Sequence, residues 1–227
     1  MKSLHFKYFI SIVFIVVSSL IVYSVIFFSC KKEKQEILIT GEVKDPNLVI
    51  PLPDVQVDLF VQKIENGIMN HNFVFESSVS TDSEGKFYFT LAASYAEAFK
   101  LVFTKDQYFS LSDEMEVSDF TNNQHSGTYN LYPSAFIRLH VKNIYPYDSN
   151  DQISFHIKNG TAVCSDCCTT DYTILTGTSV DYTNTCRITG HSDITIEWFV
   201  QKAGNATPFM QSYFCEAFVT TDVEILY

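Results

Sequence analysis

Glycine and proline are scarce, at 8 and 6 of 227 residues, which argues against collagen-like or low-complexity chains. Charged residues are thin as well, at 18%, although much of the apolar excess sits in one N-terminal run. Positive charge is the scarcer sign: 15 Lys and Arg face 26 Asp and Glu, a formal net charge of −11. Such a surface repels phosphate backbones, and no basic, aromatic-laced patch offsets it, so nucleic acid is excluded as a partner. The motifs of common catalysts are missing too: no G-x-S-x-G elbow, no H-E-x-x-H helix and no glycine-rich phosphate loop. His140 and His156 read as surface or satisfied histidines on strands, and Glu114 and Glu116 as part of an acidic loop. The expectation is a chain that is not an enzyme and that uses no cofactor, catalytic residue or metal.

What is present is apolar and aromatic: hydrophobic residues make up 46% and aromatics 15%, enough for packed cores. Lys2 and Lys7 precede an uncharged run from Tyr8 to Ser29, roughly the 20 residues that a membrane-spanning helix needs. The run stops at Ser29-Cys30, and a polar tether follows, Lys31 to Glu36. This pattern resembles the signal of bacterial lipoproteins, in which the segment is cleaved and the cysteine acylated. Bulky Phe27 and Phe28 depart from that family's usual lipobox. A retained helix is the alternative, but three lysines just beyond a signal anchor would oppose translocation under the positive-inside rule. Residues 1–29 are therefore expected to be a signal peptide and 30–35 a tether, with Cys30 the lipidation site. Cleavage removes Lys2 and Lys7, leaving 13 basic residues against 26 acidic. The implied placement is the outer membrane or cell surface, held by acyl chains.

Beyond the tether, apolar and polar residues alternate in short runs. Phe87, Phe89 and Leu91 share one face, as do Ile137, Leu139 and Val141, then Ile153, Phe155 and Ile157, then Ile194, Ile196, Trp198 and Val200. Period-2 alternation rich in β-branched and aromatic residues predicts half-buried strands. The one helix-like stretch is Ala92 to Phe99, too short to change the class. The expected fold is all-β: two small β-sandwiches, 36–133 and 134–227, divided near Tyr132-Pro133-Ser134 after a polar, acidic stretch from Ser112 to Gly127.

In the first half, Gly41-Glu42-Val43 leads to Pro51-Leu52-Pro53-Asp54-Val55-Gln56-Val57. Thr81-Asp82-Ser83-Glu84-Gly85-Lys86-Phe87-Tyr88-Phe89 and then Phe99 to Phe103 follow. This order resembles the carboxypeptidase regulatory-like domains, over about 70 residues, with a longer insertion around Lys63 to Asn72. The resemblance implies a transthyretin-like sandwich without catalytic activity, of a kind common in surface lipoproteins and at the front of outer-membrane transporters. By residue type alone, Asp82 to Gly85 suits a tight turn, with Gly85 supplying positive φ.

Two features bear on function. Cys164, Cys167, Cys168, Cys186 and Cys215 all lie in the second half. In an oxidising compartment they are disulfide candidates with one thiol left over. A metal site using Cys164 and Cys167 with Cys186 and His191 or Cys215, or a redox-active C-x-x-C, are the rival readings. Acidic turns at Asp82–Gly85 and Asp148–Asp151 could bind calcium, but lack the full loop spacing. Rings expected outside the core, Tyr88, Tyr145, Tyr147 and Phe199, are candidate ligand-binding residues, for a glycan or an envelope protein. Cross-strand pairing that merely stabilises the sheet is the competing account of them.

Overall fold

The computed structural model describes residues 36–65, 68–92, 96–159 and 164–227. The signal segment, the tether and Cys30 lie outside these residues. Among the described residues no helix is long and apolar enough to cross a membrane.

Among the described residues the first half contributes nine strands: β1 (Glu36–Asp45), β2 (Ile50–Pro51), β3 (Gln56–Glu65), β4 (Ile68–Met69), β5 (Val74–Ser80), β6 (Lys86–Ala92), β7 (Ala96–Thr104), β8 (Leu111–Glu116) and β9 (Gln124–Asn130). One sheet is built on β1, which pairs with β9 in parallel along Leu38 to Lys44 and carries β2 and β6 on its other edge. The second sheet runs β5–β3–β7–β8, all antiparallel, with β4 also on β3. The alternation predicted from sequence is what fills the space between them. Phe87 and Phe89 point inward from β6 while Tyr88 stays exposed. Phe87, Phe103 and Tyr129 pack ring against ring, with Phe103 and Tyr129 centroids 4.4 Å apart.

The turn before β6 shows why glycine stands at position 85. Its φ is +75°, and a Cβ there would lie 2.4 Å from the Val43 carbonyl oxygen. Its N–H donates to the Asp82 carbonyl at 3.0 Å, closing the turn. Just upstream, the buried Thr81 hydroxyl donates to the Leu52 carbonyl (2.6 Å) and accepts from the Val55 N–H (2.9 Å), so no polar atom there is left bare.

The second half contributes β10 (Ser134–Lys142), β11 (Gln152–Ile157), β12 (Thr173–Thr176), β13 (Asp181–Thr189), β14 (Ser192–Lys202), β15 (Asn205–Cys215) and β16 (Thr220–Leu226). They form sheets β13–β10–β16 and β12–β11–β14–β15, around a core separate from the first. Apart from the two-residue β2 and β4, the connectivity repeats that of the first half strand for strand. In each, the opening strand lies between the fourth major strand and the last, and pairs with the last in parallel. The other sheet takes the third, second, fifth and sixth in that order. The all-β class and the pair of sandwiches are as expected from the alternation.

Two local expectations are corrected. The described residues of the helix-like segment are strand: Ala92 ends β6, and Ala96 to Phe99 open β7, where Phe99 is fully buried in the first core. Short alanine-rich runs follow the sheet when a flanking ring needs the core, because tertiary burial outweighs the tenths of a kcal/mol in helix propensity. Glu114 and Glu116 are not in a loop either: they stand on β8, with Met115 between them pointing inward. Lys100 pairs with Glu114 across the sheet at 3.0 Å.

The chain passes from one core to the other through a hydrogen-bonded junction. Phe109 N–H donates to the Tyr132 carbonyl, and both the N–H and hydroxyl of Ser134 donate to the Gln107 carbonyl. From the second sandwich, Gly190 N–H donates to the Pro133 carbonyl and Phe218 N–H to the Ser134 carbonyl, each at 2.7 Å. Tyr108 is buried here against Phe218. Burial, and then the charge of the Asp45 carboxylate facing its hydroxyl, push its pKa up to about 12.

Candidate functional site

The four candidate rings are all exposed but are not gathered in one place. Tyr88 is 69% exposed on the first sandwich, whereas Tyr145 (76%), Tyr147 (68%) and Phe199 (40%) belong to the second. The tyrosine loop between β10 and β11 is held from beneath. Asp151 is buried and accepts from the Tyr147 N–H (2.8 Å), the Asn143 amide (2.9 Å) and the Asp148 N–H (3.3 Å). Lys202 donates to the Asn143 side-chain oxygen (2.8 Å) and to the Tyr145 carbonyl (2.6 Å). Burial alone would raise the Asp151 pKa, but the donated hydrogen bonds and the nearby Lys202 charge outweigh it and hold the carboxyl below its usual value. The Asp148–Asp151 turn therefore spends its buried carboxylate on its own backbone. Gly85 and Lys86 N–H groups do the same with Asp82, through its carbonyl and its carboxylate.

Phe199 lies on the outer face of β12–β11–β14–β15. The register sets Ile174, Ser154, Phe199 and Pro208 in one row across all four strands. His156, Glu197 and Met210 form the next. Tyr172, just before β12, stacks on the His156 ring at 4.1 Å and comes within 6.5 Å of Phe199. His156 is fixed by the Thr170 carbonyl and by Glu197 (3.1 Å), and Lys158 closes on Glu197 at 2.8 Å. The hydrogen bond from Lys158 first, and from His156 next, lower the Glu197 pKa. Tyr172, Ile174, Phe199, Pro208 and Met210 are exposed together, an apolar strip with one ion-paired cluster inside it. Tyr172 escapes sequence reading because it sits in irregular chain, where no period assigns a face.

The opposite outer face, on β13–β10–β16, is built differently. Arg138 grips Asp222, His140 lies 2.8 Å from Asp181 and 3.4 Å from Glu224, and Lys142 pairs with Asp181. Hydrogen bonds to Asp181 and Glu224 raise the His140 pKa, and those from Lys142 and His140 lower that of Asp181. One face is thus a charged ladder and the other an apolar one, and an exposed apolar strip on a sheet is the kind of surface that partners cover.

The cysteines resolve into Cys164–Cys167, on a partly exposed turn, and Cys168–Cys186, which ties that turn to β13 inside the core. Cys215 is free and fully buried, and burial raises its pKa. Cys164, Asp166 and Cys167 do cluster closely enough for a metal, but the two sulfurs are bonded to each other. A thiolate is the metal ligand, so that set is not one in this state.

No family model matches the chain, and no curated protein matches it. Among solved structures it is similar to a streptococcal ancillary pilin, at 10% identity and a TM-score of 0.35, over 86% of this chain and 63% of that one. It is also similar to the TIE protein of Bacillus anthracis, at 9% identity and a TM-score of 0.36, over 85% of this chain and 33% of that one. The shaft pilin SpaA of Lactobacillus rhamnosus GG overlaps 85% of this chain and 97% of its own length, at 10% identity and a TM-score of 0.32. The chain thus spans less than two thirds of the first two proteins. Overlaps this loose leave the functional reading to the chain's own surfaces.

Proposed function

We propose that this chain is a non-enzymatic β-sandwich module, lipid-anchored through Cys30 at the cell envelope, that binds a partner through the apolar face of its second sandwich. The observation that carries the reading is the strip of Tyr172, Ile174, Phe199, Pro208 and Met210 laid across four strands. Two disulfides support an oxidising compartment. A glycan is the second reading of the occupant. It is favoured by the preset Tyr145 and Tyr147 loop beside the Gln152–Gln201 pair, since rings flanked by amides suit a sugar's apolar face and hydroxyls.

The test has two arms in cells making the full chain. Labelled palmitate should enter the wild type and not Cys30→Ala, and labelling of both would remove the anchor. Tyr172→Ala/Phe199→Ala should lose roughly tenfold or more in retention on the envelope material that holds the wild type, with Arg138→Ala unchanged. Equal retention of all three would exclude the face. Competition by soluble envelope polysaccharide separates the glycan reading from the protein one.

A further inference from the structure

A cleft of about 610 Å³ lies beside the junction, within the size range of small-molecule sites. Phe109, Leu111 and Tyr132 come to it from the first half and its linker, and Arg187, Ser192 and Asp193 from the second. Its surface is mostly apolar, and most of its polar rim is already engaged. Asn47 donates to the Gly190 carbonyl (2.8 Å), and Ser192 to the Thr189 carbonyl (2.8 Å). Asn159 donates to the Asp193 carbonyl and accepts from the Thr195 N–H.

Arg187 keeps donors to spare. A guanidinium offers five N–H donors. Here one goes to the Tyr108 carbonyl at 3.0 Å, and the plane lies over the Phe109 ring, 4.3 Å from its centroid. Among the described residues no carboxylate lies within ion-pair distance of it, in a chain of net charge −11. The stacking and the carbonyl hold the group in one orientation before anything binds. Stacking leaves its donor edge available, and a planar, preset fork suits a carboxylate.

We propose that the junction cleft binds a small monocarboxylate with an apolar body. Its carboxylate pairs with Arg187 and its apolar part lies against Phe109, Leu111 and Tyr132. Asp193 is the opposing charge in the cleft and works against the anion, so it limits affinity. The site is distinct from the Tyr172–Phe199 face and does not depend on it.

The probe is 3-phenylpropionate, titrated by calorimetry and by NMR shifts into the full chain in lipid nanodiscs, beside 3-phenylpropanamide and 3-phenylpropylamine. The acid should bind, the neutral amide about tenfold or more weaker, and the amine not at all. Arg187→Gln should weaken the acid to the level of the amide. Asp193→Asn should tighten it, a gain that a fold defect cannot mimic. Ser110→Trp, which places a large ring in the cleft, should abolish binding while thermal unfolding stays that of the wild type. Equal binding of acid and amide, retained affinity in Arg187→Gln, or weaker binding in Asp193→Asn would each overturn the proposal.

Discussion

The two sandwiches share one strand connectivity and are held together by different means. In the first, six of the buried core residues are aromatic, Phe87, Phe89, Phe99, Phe103, Tyr108 and Tyr129, and the described residues include no cysteine. In the second, isoleucine dominates, Phe155 and Tyr227 are the buried rings, and three cysteines lie in the core. A connectivity of this kind needs an apolar filling of the right volume and does not dictate its chemistry. Large rings fill the first core through contact area alone. The second has smaller side chains and adds a covalent tie between Cys168, ahead of β12, and Cys186 on β13.

The widest difference should come from removing a ring. Phe103→Ala is expected to cost about 3–5 kcal/mol in denaturant titration, because Phe103 is fully buried among Phe87 and Tyr129. Hydrogen exchange should show the loss in β3, β6 and β7, with β10 to β16 still protected by their own core. Equal loss of protection in both would mean that the junction, not the two cores, sets the cooperative unit.

Next in size are the disulfides. Cys168–Cys186 spans 18 residues, and Cys164–Cys167 spans three. Loop entropy then predicts about 3 kcal/mol for Cys168→Ala/Cys186→Ala against about 2 for Cys164→Ala/Cys167→Ala. Burial of Cys168 and Cys186 widens that gap. Reductant should lower the unfolding midpoint of the second sandwich and leave that of the first in place.

The smallest expected effect is the response to pH, and it too divides the halves. Asp151, Asp181 and Glu197 have lowered pKa values, so their contribution is present above the ordinary carboxylate range and is lost as pH falls through the folded values. His140 has a raised one, so its contribution is complete below about 6.5 and is lost as pH rises through the folded value. The second sandwich should therefore be most stable between these limits. The shifted groups of the first, Lys86, Tyr108 and Tyr129, respond on the alkaline side. Urea midpoints from pH 3 to 8 check this, and a flat profile for the second half would refute it.

Much of the strand pattern was legible from residues alone. Alternation identified the inward set of β6, β10, β11 and β14, and the Asp82–Gly85 turn was readable because only glycine fits it. The outward positions of Tyr88 and Phe199 follow from the same parity. Alternation failed where propensity is weak and burial decides, at Ala96–Phe99 and along β8. The repeated connectivity was invisible because the halves keep positions and not residues.

The composition and periodicity of this chain determined an all-β body with half-buried strands, since period 2 is a local property of the backbone. The tertiary structure decided what lies next to what: which cysteines pair, that Tyr172 meets His156 and Phe199, and that Arg187 rests on Phe109 across 78 residues of sequence. Those contacts join residues far apart in the chain, and strand parity assigns a face but not a neighbour.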